Sequence, residues 1–315
     1  MKPIYIALGV LCTAIWGFNF VVIKLALAGV PPLLLTAERF ALAALPALLL
    51  ARPAGLTWAR IAGVGTFMFL GQYVFLFVAM DIGMPPGLAS VTLQVQAFMT
   101  MLLAAFALGE RPGGRQIAGA GLAFAGLAAI AATAGAGSDI PLAAIALIAL
   151  SAASWAIGNV LLRQAGPAAG GGTLAGVAWL SLLPPLPALA LSLAFEGPER
   201  VAQSLAHTTP LALAAMAYIV GLSTWVGFGI WGRLMALYPA GAVAPFTLLV
   251  PFFGAASAAL VLGEQLTLGR LAGTALIVAG LAAITLPGRR PRPARAPPAS
   301  PAAPPAPPAA SRRGR

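Results

Sequence analysis

The chain has 315 residues, of which 60% are hydrophobic and only 8% are charged, and its mean hydropathy is +0.95. Soluble domains contain about 25% charged residues, so this composition excludes a soluble globular protein and predicts one that lies in a lipid bilayer. The net charge of +11 does not indicate nucleic-acid binding, because seven of the 18 basic residues lie in the last 29 positions. That tail, 287–315, is rich in proline and alanine and is predicted to be disordered.

Ten apolar segments follow one another between breaks at proline, glycine and charged residues. A helix needs about 20 apolar residues to cross about 30 Å of hydrocarbon. The predicted spans are 4–28, 33–51, 61–80, 86–109, 116–134, 140–162, 173–194, 209–232, 240–262 and 267–286. We interpret the first as an uncleaved membrane helix, because its apolar run is too long for a signal peptide and has no clear cleavage site. The sequence thus predicts an all-α membrane protein.

The distribution of basic residues predicts the orientation of these spans, because lysine and arginine concentrate in cytoplasmic loops. With a cytoplasmic N-terminus, seven basic residues fall inside, namely Lys2, Arg52, Arg60, Arg111, Arg115, Arg163 and Arg233. Only Arg200 and Arg270 then fall in outer loops. We therefore predict that both termini and the tail are cytoplasmic.

The second half of the chain repeats the first. At a shift of 154 residues, 85–130 overlay 239–284 without a gap, and 17 of the 46 positions are identical. Glu110 and Glu264, each at the end of "LGE", coincide in this overlay, and we interpret them as loop contacts or gates. The predicted repeats are 4–134 and 140–286. Because each has five spans, the second is inverted in the membrane, an architecture typical of secondary transporters.

Polar side chains within the spans are candidate functional residues, because polar groups are costly in hydrocarbon. The candidate substrate-cavity residues are Trp16, Asn19, Gln72, Gln94, Gln96, Trp155 and Asn159. Amides can bind the ammonium and carboxylate groups of an amino acid without themselves carrying charge. Asn19 and Gln96 fit a hydrogen bond to a neighbouring helix equally well, so both interpretations stay open. Gln94 lies off the helix face that positions 92, 96 and 100 share, which predicts different roles for the two glutamines.

Glu38 and Arg39 open the second span and are the candidate coupling and gating residues. Glu38 could carry a coupling proton and Arg39 could bind a carboxylate or gate the pathway, whereas the alternative is an interfacial pair that reaches water. Pro245 and Pro251 in the ninth span indicate a hinge or a simple kink. The single histidine and single cysteine are too few to indicate a metal site.

Several segments resemble the EamA family of the drug/metabolite transporter superfamily. They are "AIWGFNFVVIKLALAGVPPLLLTAERF", "GMPPGLASVTLQVQAFMTMLLAAFALGER", "SWAIGNV" and "VAPFTLLVPFFGAASAALVLGE". The resemblance covers residues 4–286 and implies a ten-helix protein of the bacterial inner membrane that exports small metabolites without an ATP site. "PPGLASVTLQVQAF" and "GFGIWGRL" are similar to members of this family that export O-acetylserine and cysteine, and Arg39 matches an arginine of the family.

We therefore expect a secondary transporter that exports small amino-acid-like metabolites, of the cysteine and O-acetylserine type, by alternating access. The alternatives are export of other metabolites, nucleobases or drugs and, with less support, a channel or a membrane-embedded enzyme. The sequence has no GxSxG, HExxH or phosphate-loop motif, so we expect neither an enzyme nor a cofactor. Protons are the candidate coupling partner, and glycines in the fifth and tenth spans would also fit a homodimer.

Overall fold

The computed structural model describes residues 1–133, 139–170, 173–238, 240–265 and 267–285, which form helices without a strand. The predicted all-α class is confirmed, and the tail 287–315 lies outside the described residues. The helices are α1 (Pro3–Leu27), α2 (Pro32–Ala43), α3 (Trp58–Asp81), α4 (Pro86–Leu108), α5 (Gly114–Ala131), α6 (Leu142–Ala165), α7 (Leu174–Leu180), α8 (Pro185–Phe195), α9 (Pro198–Ala206), α10 (Pro210–Leu237), α11 (Phe246–Leu262) and α12 (Leu268–Thr285).

Six of these helices, α1, α3, α4, α5, α6 and α10, are long and apolar enough to cross a bilayer. The predicted span 173–194 instead consists of α7 and α8, which bend by 43° where Pro184 and Pro185 interrupt the chain. The span 33–51 contains the 12-residue α2 and a 3-10 turn, Leu45–Leu48. Pro46 lacks the N–H that would continue the α-helix, so α2 rises only about 18 Å.

Departures from α-helical winding recur in the two halves of the described chain. A π-helical segment, Gly65–Gly71, interrupts α3, and another, Tyr218–Val226, interrupts α10. A 3-10 turn, Leu93–Val95, lies within α4, and Ala244–Leu248 leads into α11. These pairs overlap when the 154-residue shift is applied. Irregular turns of this kind concentrate at functional positions in helices, and here they lie on matched helices.

The last helix of each repeat packs against the other through reciprocal glycine contacts. A Cβ added at Gly126 on α5 would lie 2.5 Å from the carbonyl oxygen of Gly273 on α12. A Cβ added at Gly280 would likewise lie 2.5 Å from the carbonyl oxygen of Gly119. The shift relates Gly119 to Gly273 and Gly126 to Gly280, so the two contacts exchange, as expected for halves related by a two-fold axis. These four glycines are thus buried within one chain, whereas Gly121 on α5 is exposed.

Candidate functional site

A cavity of about 510 Å³ lies between the two halves. Its wall comes from α1, α2, α3 and α4 of the first half and from α6, α10 and α11 of the second. The structure places eight of the predicted site residues along this wall: Trp16, Asn19, Arg39, Gln72, Gln94, Gln96, Trp155 and Asn159. Their roles in binding stay predictions, but side chains from distant parts of the sequence share one cavity.

Arg39 is the one charged residue along the described cavity wall, and its side chain is only 2% exposed. The guanidinium carbon lies 3.9 Å from the ring centre of Tyr73, and Nη2 donates a hydrogen bond to the Tyr73 hydroxyl at 3.1 Å. Nε and Nη1 are buried without a hydrogen-bond partner among the described residues. A buried cation without a counter-charge is costly, so this arrangement can bind an anionic group that enters the cavity.

Three amide side chains of the same cavity wall have oxygens without partners. The side-chain oxygens of Asn19, Gln72 and Gln96 are buried and have no hydrogen-bond donor in the described structure. Most buried polar atoms in proteins are satisfied, so three such acceptors around one cavity indicate a place for a donor. Together with Arg39, they can hold a group that carries both a carboxylate and an ammonium.

Gln94 and Gln96 both reach the cavity because α4 changes its winding between them. The 3-10 turn Leu93–Val95 advances each residue by about 120° instead of about 100°. The two glutamines are then about 120° apart around the axis, whereas a straight α-helix would separate them by about 160°. Gln94 Nε2 donates to the carbonyl oxygen of Thr247 in the other half at 3.4 Å, while Gln96 keeps a free acceptor.

An aromatic cluster around Trp16 forms the wall of the cavity on the α10 side. Trp16 Nε1 donates to the carbonyl oxygen of Ser223 at 3.0 Å. Its ring centre lies 5.4 Å from that of Phe228 and 5.2 Å from that of Trp231, within the range of favourable aromatic pairs. A Cβ added at Gly227 would lie 2.6 Å from Trp16 Nε1. The position of this tryptophan therefore depends on a glycine two hundred residues away in sequence.

The remaining predicted residues lie elsewhere. Glu38 is half-buried on α2 but does not line the cavity, so its coupling role stays a prediction. Pro251 is buried on α11, three residues after the 3-10 turn Ala244–Leu248; proline has no N–H to donate, which fits a local change of winding, and its role as a hinge stays a prediction. The backbone of Pro245 belongs to the 3-10 turn Ala244–Leu248, and its side chain lies outside the described residues.

Sequence reasoning missed much of the apolar wall of the cavity. Phe20, Phe69, Tyr73, Phe228 and Trp231 line it, yet each reads as ordinary apolar filling in a membrane helix. Tyr73 directly follows Gln72, which was a usable signal, because two polar groups adjacent in a span are costly.

The matched glutamates Glu110 and Glu264 have different partners. Glu264 follows α11, and its two carboxylate oxygens accept hydrogen bonds from the backbone N–H groups of Gly87 at 2.8 Å and Leu88 at 3.1 Å. These amides begin α4, where a negative charge is favourable. Glu110 instead forms an ion pair with Arg163 at 2.9 Å, and 49% and 53% of these two side chains are exposed.

Burial raises the pKa of the Glu264 carboxyl above its ordinary value, while the two amide hydrogen bonds and the charge of Arg270 oppose the shift. Asp139, which is paired with Arg270, adds to the increase. Protonation at this position therefore begins at a higher pH than for an exposed glutamate.

The fold of this chain recurs in a protein of known structure. A chain of known crystal structure superposes with a TM-score of 0.62 over 90% of this chain and 97% of its own, at 19% sequence identity. An identity this low shows a shared fold and no more.

Relatives of similar length carry functional names. A "probable amino-acid metabolite efflux pump" of Salmonella typhimurium is 42% identical over 277 residues, which cover 87% of this chain and 92% of the relative. A protein of the same name from Escherichia coli is 38% identical, with the same coverage. A "probable terminal-alkyne amino-acid exporter" of Streptantibioticus cattleyicolor is 29% identical over 87% of this chain and 91% of its own.

The sequence profile of the EamA-like transporter family matches residues 3–132 and, a second time, residues 142–286. Two matches that together cover most of the chain agree with the repeated windings and the reciprocal helix contacts described above. The resemblance found in the sequence is confirmed. This chain, a membrane protein with several spanning helices, belongs to the EamA-like transporter family.

Proposed function

We propose that this protein exports small amino-acid-like metabolites, of the cysteine and O-acetylserine type, through the cavity between its halves. The observation that carries the proposal is Arg39, a buried cation with unpaired N–H donors in a cavity that also holds unpaired amide oxygens. Relatives named as amino-acid metabolite efflux pumps support the same substrate class.

The binding mode follows from the charges of an amino acid. The α-carboxylate binds the guanidinium of Arg39, and the ammonium donates to the side-chain oxygens of Asn19, Gln72 or Gln96. A neutral side chain then contacts the aromatic wall at Trp16 and Phe228. Hydrogen bonds to charged groups contribute about 1.5–3 kcal/mol each, enough to select a zwitterion over an analogue that lacks one charge.

Transport proceeds by alternating access in this proposal, with ten spans and both termini in the cytoplasm. The cavity lies between matched halves whose helices carry the same irregular turns, and inverted repeats with a central site support exchange between two packings. Coupling to protons through Glu38 is the part that rests on sequence alone.

The test uses purified protein in liposomes loaded with labelled cysteine under reducing conditions. We expect saturable counterflow that unlabelled cysteine and O-acetylserine compete for. Cysteamine, which lacks the carboxylate, and 3-mercaptopropionate, which lacks the ammonium, should compete at least tenfold more weakly. Absence of exchange with any amino acid by a folded protein would contradict the proposal and direct the search to nucleobases and drugs.

Arg39→Gln is the variant that tests the binding mode. We expect a 10- to 100-fold loss of cysteine counterflow, which corresponds to about 1.4–2.7 kcal/mol, with partial recovery in Arg39→Lys because the charge is retained. Competition by cysteamine should be as strong in Arg39→Gln as in the parent protein, because cysteamine has no carboxylate for Arg39 to bind. Arg115→Gln, at an exposed position that begins α5, is the matched control. If cysteine counterflow and competition by cysteamine both fell by the same factor, Arg39 would be needed for folding and not for binding the carboxylate.

A further inference from the structure

The two halves use one duplicated carboxylate in different ways. Glu264 reaches across the interface between the halves and binds the first amides of α4. Its counterpart Glu110 is the residue that would reach the equivalent amides, those of Gly241 and Ala242, in a symmetric molecule. In this structure Glu110 binds Arg163 instead.

Burial of the matched segments shows the same asymmetry. Leu88, whose amide Glu264 binds, is 0% exposed, whereas its counterpart Ala242 is exposed. Residues 92–95 of α4 are all buried, whereas 246–249 at the start of α11 are partly exposed. The segment next to Glu264 is therefore packed between the halves, and the matched segment next to Glu110 is more exposed.

We propose that Glu264 is the latch of the outer gate, which holds the start of α4 against α11 while the cavity is open to the cytoplasm. This inference rests on the alternating-access mechanism proposed above. In the opposite state the contacts exchange: Glu264 releases Gly87 and Leu88, and Glu110 leaves Arg163 to bind the amides of residues 241 and 242.

The latch is connected to the cavity through one helix. Gly87 and Leu88 begin α4, and Leu93, Gln94 and Gln96 of the same helix line the cavity. Gln94 lies six positions after Leu88 on this helix, a rise of about 9 Å. Movement of the start of α4 therefore changes the cavity wall directly, without an intermediate element.

Labelling of a cysteine from each side of the membrane tests the latch without any substrate. The native Cys12, which is buried, is replaced by alanine, and Leu93→Cys supplies a reporter between the latch and the cavity. With an impermeant thiol reagent added to intact cells, we expect slow labelling with Glu264 present and at least tenfold faster labelling in Glu264→Ala. In inside-out vesicles, where the reagent reaches the cytoplasmic side, labelling should be faster with Glu264 present than in Glu264→Ala.

Two control variants separate the latch from a general loss of structure. Glu199→Ala removes an exposed carboxylate near the predicted outer end of α8 and should leave both labelling rates unchanged. Glu110→Ala should not increase labelling from outside, because it removes the amide contacts proposed for the opposite state and, in the state seen here, only an exposed ion pair that contributes little. Labelling of Glu264→Ala from outside at the parental rate, in a folded protein, would overturn the proposal.

A cross-link gives a second, independent test in case Glu264→Ala does not fold. A Cβ added at Gly87 would lie 3.1 Å from the Cβ of Ala258, so a shift of a few tenths of an ångström brings the pair to the roughly 3.5–4.5 Å of a disulfide. The pair Gly87→Cys and Ala258→Cys, in the Cys12→Ala background, should stop counterflow when oxidised and restore it when reduced. Full exchange by the oxidised protein would show that this contact stays closed throughout the cycle. Failure of the substrate panel would leave the labelling result intact, so the two proposals fail separately.

Discussion

At the scale of single residues, the cavity combines polar atoms that the sequence marks with aromatic packing that it does not. Arg39 and the amides are conspicuous because hydrocarbon penalises them. The position of Trp16, in contrast, depends on the small size of Gly227, which leaves 2.6 Å between the indole nitrogen and a Cβ built at that glycine. The shape of the cavity is therefore sensitive to a residue that does not line it.

Gly227→Ala tests this dependence. The added methyl group must displace the Trp16 indole from its hydrogen bond with Ser223, at a cost of about 1–3 kcal/mol. We expect about a tenfold increase in the half-saturation concentration of cysteine in counterflow. Gly229→Ala is the matched control, since a Cβ there meets no atom within 4 Å. Equal effects of the two substitutions would show that Trp16 does not shape the site.

At the scale of helices, the start of the short helix α2 depends on a side chain from the other half. Glu196, at the end of α8, accepts hydrogen bonds from the backbone N–H groups of Leu33 at 2.7 Å and Leu34 at 3.1 Å, and from the Ser192 hydroxyl at 2.6 Å. These amides begin α2, whose sequence supplies no side-chain cap of its own. The glutamate thus positions the helix that carries Arg39.

Removal of this cap should destabilise the protein measurably. For Glu196→Ala we expect a decrease in the free energy of unfolding of about 1–2 kcal/mol, as for other lost caps, read as a lower melting temperature in detergent. Glu199→Ala removes an exposed carboxylate in the first turn of α9 and should change the melting temperature much less. Similar shifts for the two variants would indicate that α2 does not need the cap.

At the scale of the whole molecule, the repeat is visible in contacts as well as in sequence. Gly126 with Gly273 and Gly280 with Gly119 are one contact seen twice. Small residues allow close packing of membrane helices, and here they allow α5 and α12 to join the two halves. Because both contacts involve backbone atoms, neither can relax by rotation of a side chain.

The two-fold relation predicts equal consequences of matched substitutions. Gly126→Ala and Gly280→Ala should each lower the free energy of unfolding by about 1–3 kcal/mol, with values that agree within error. Gly121→Ala, on the same helix but with no atom within 4 Å of the added Cβ, should be neutral or slightly stabilising. Clearly unequal losses for Gly126 and Gly280 would contradict the symmetry.

The sequence by itself determined that the protein lies in a bilayer and that it is helical. It also determined the family and the polar side chains that are candidates for the site. Hydropathy decides the first two because a bilayer admits few polar residues. The 154-residue repeat and the segments that resemble the EamA family together decide the family. The cost of polar groups in lipid marks Arg39, Asn19 and Gln96 in the sequence.

Only the tertiary structure decided how those residues meet. The 3-10 turn at Leu93–Val95 brings Gln94 towards Gln96, and the break at Pro184 and Pro185 bends one predicted span. Helical periodicity assumes uniform winding, so neither result could follow from spacing alone. The different partners of Glu110 and Glu264 were equally hidden, because a symmetric sequence permits two packings and only their relative free energy selects the one that forms.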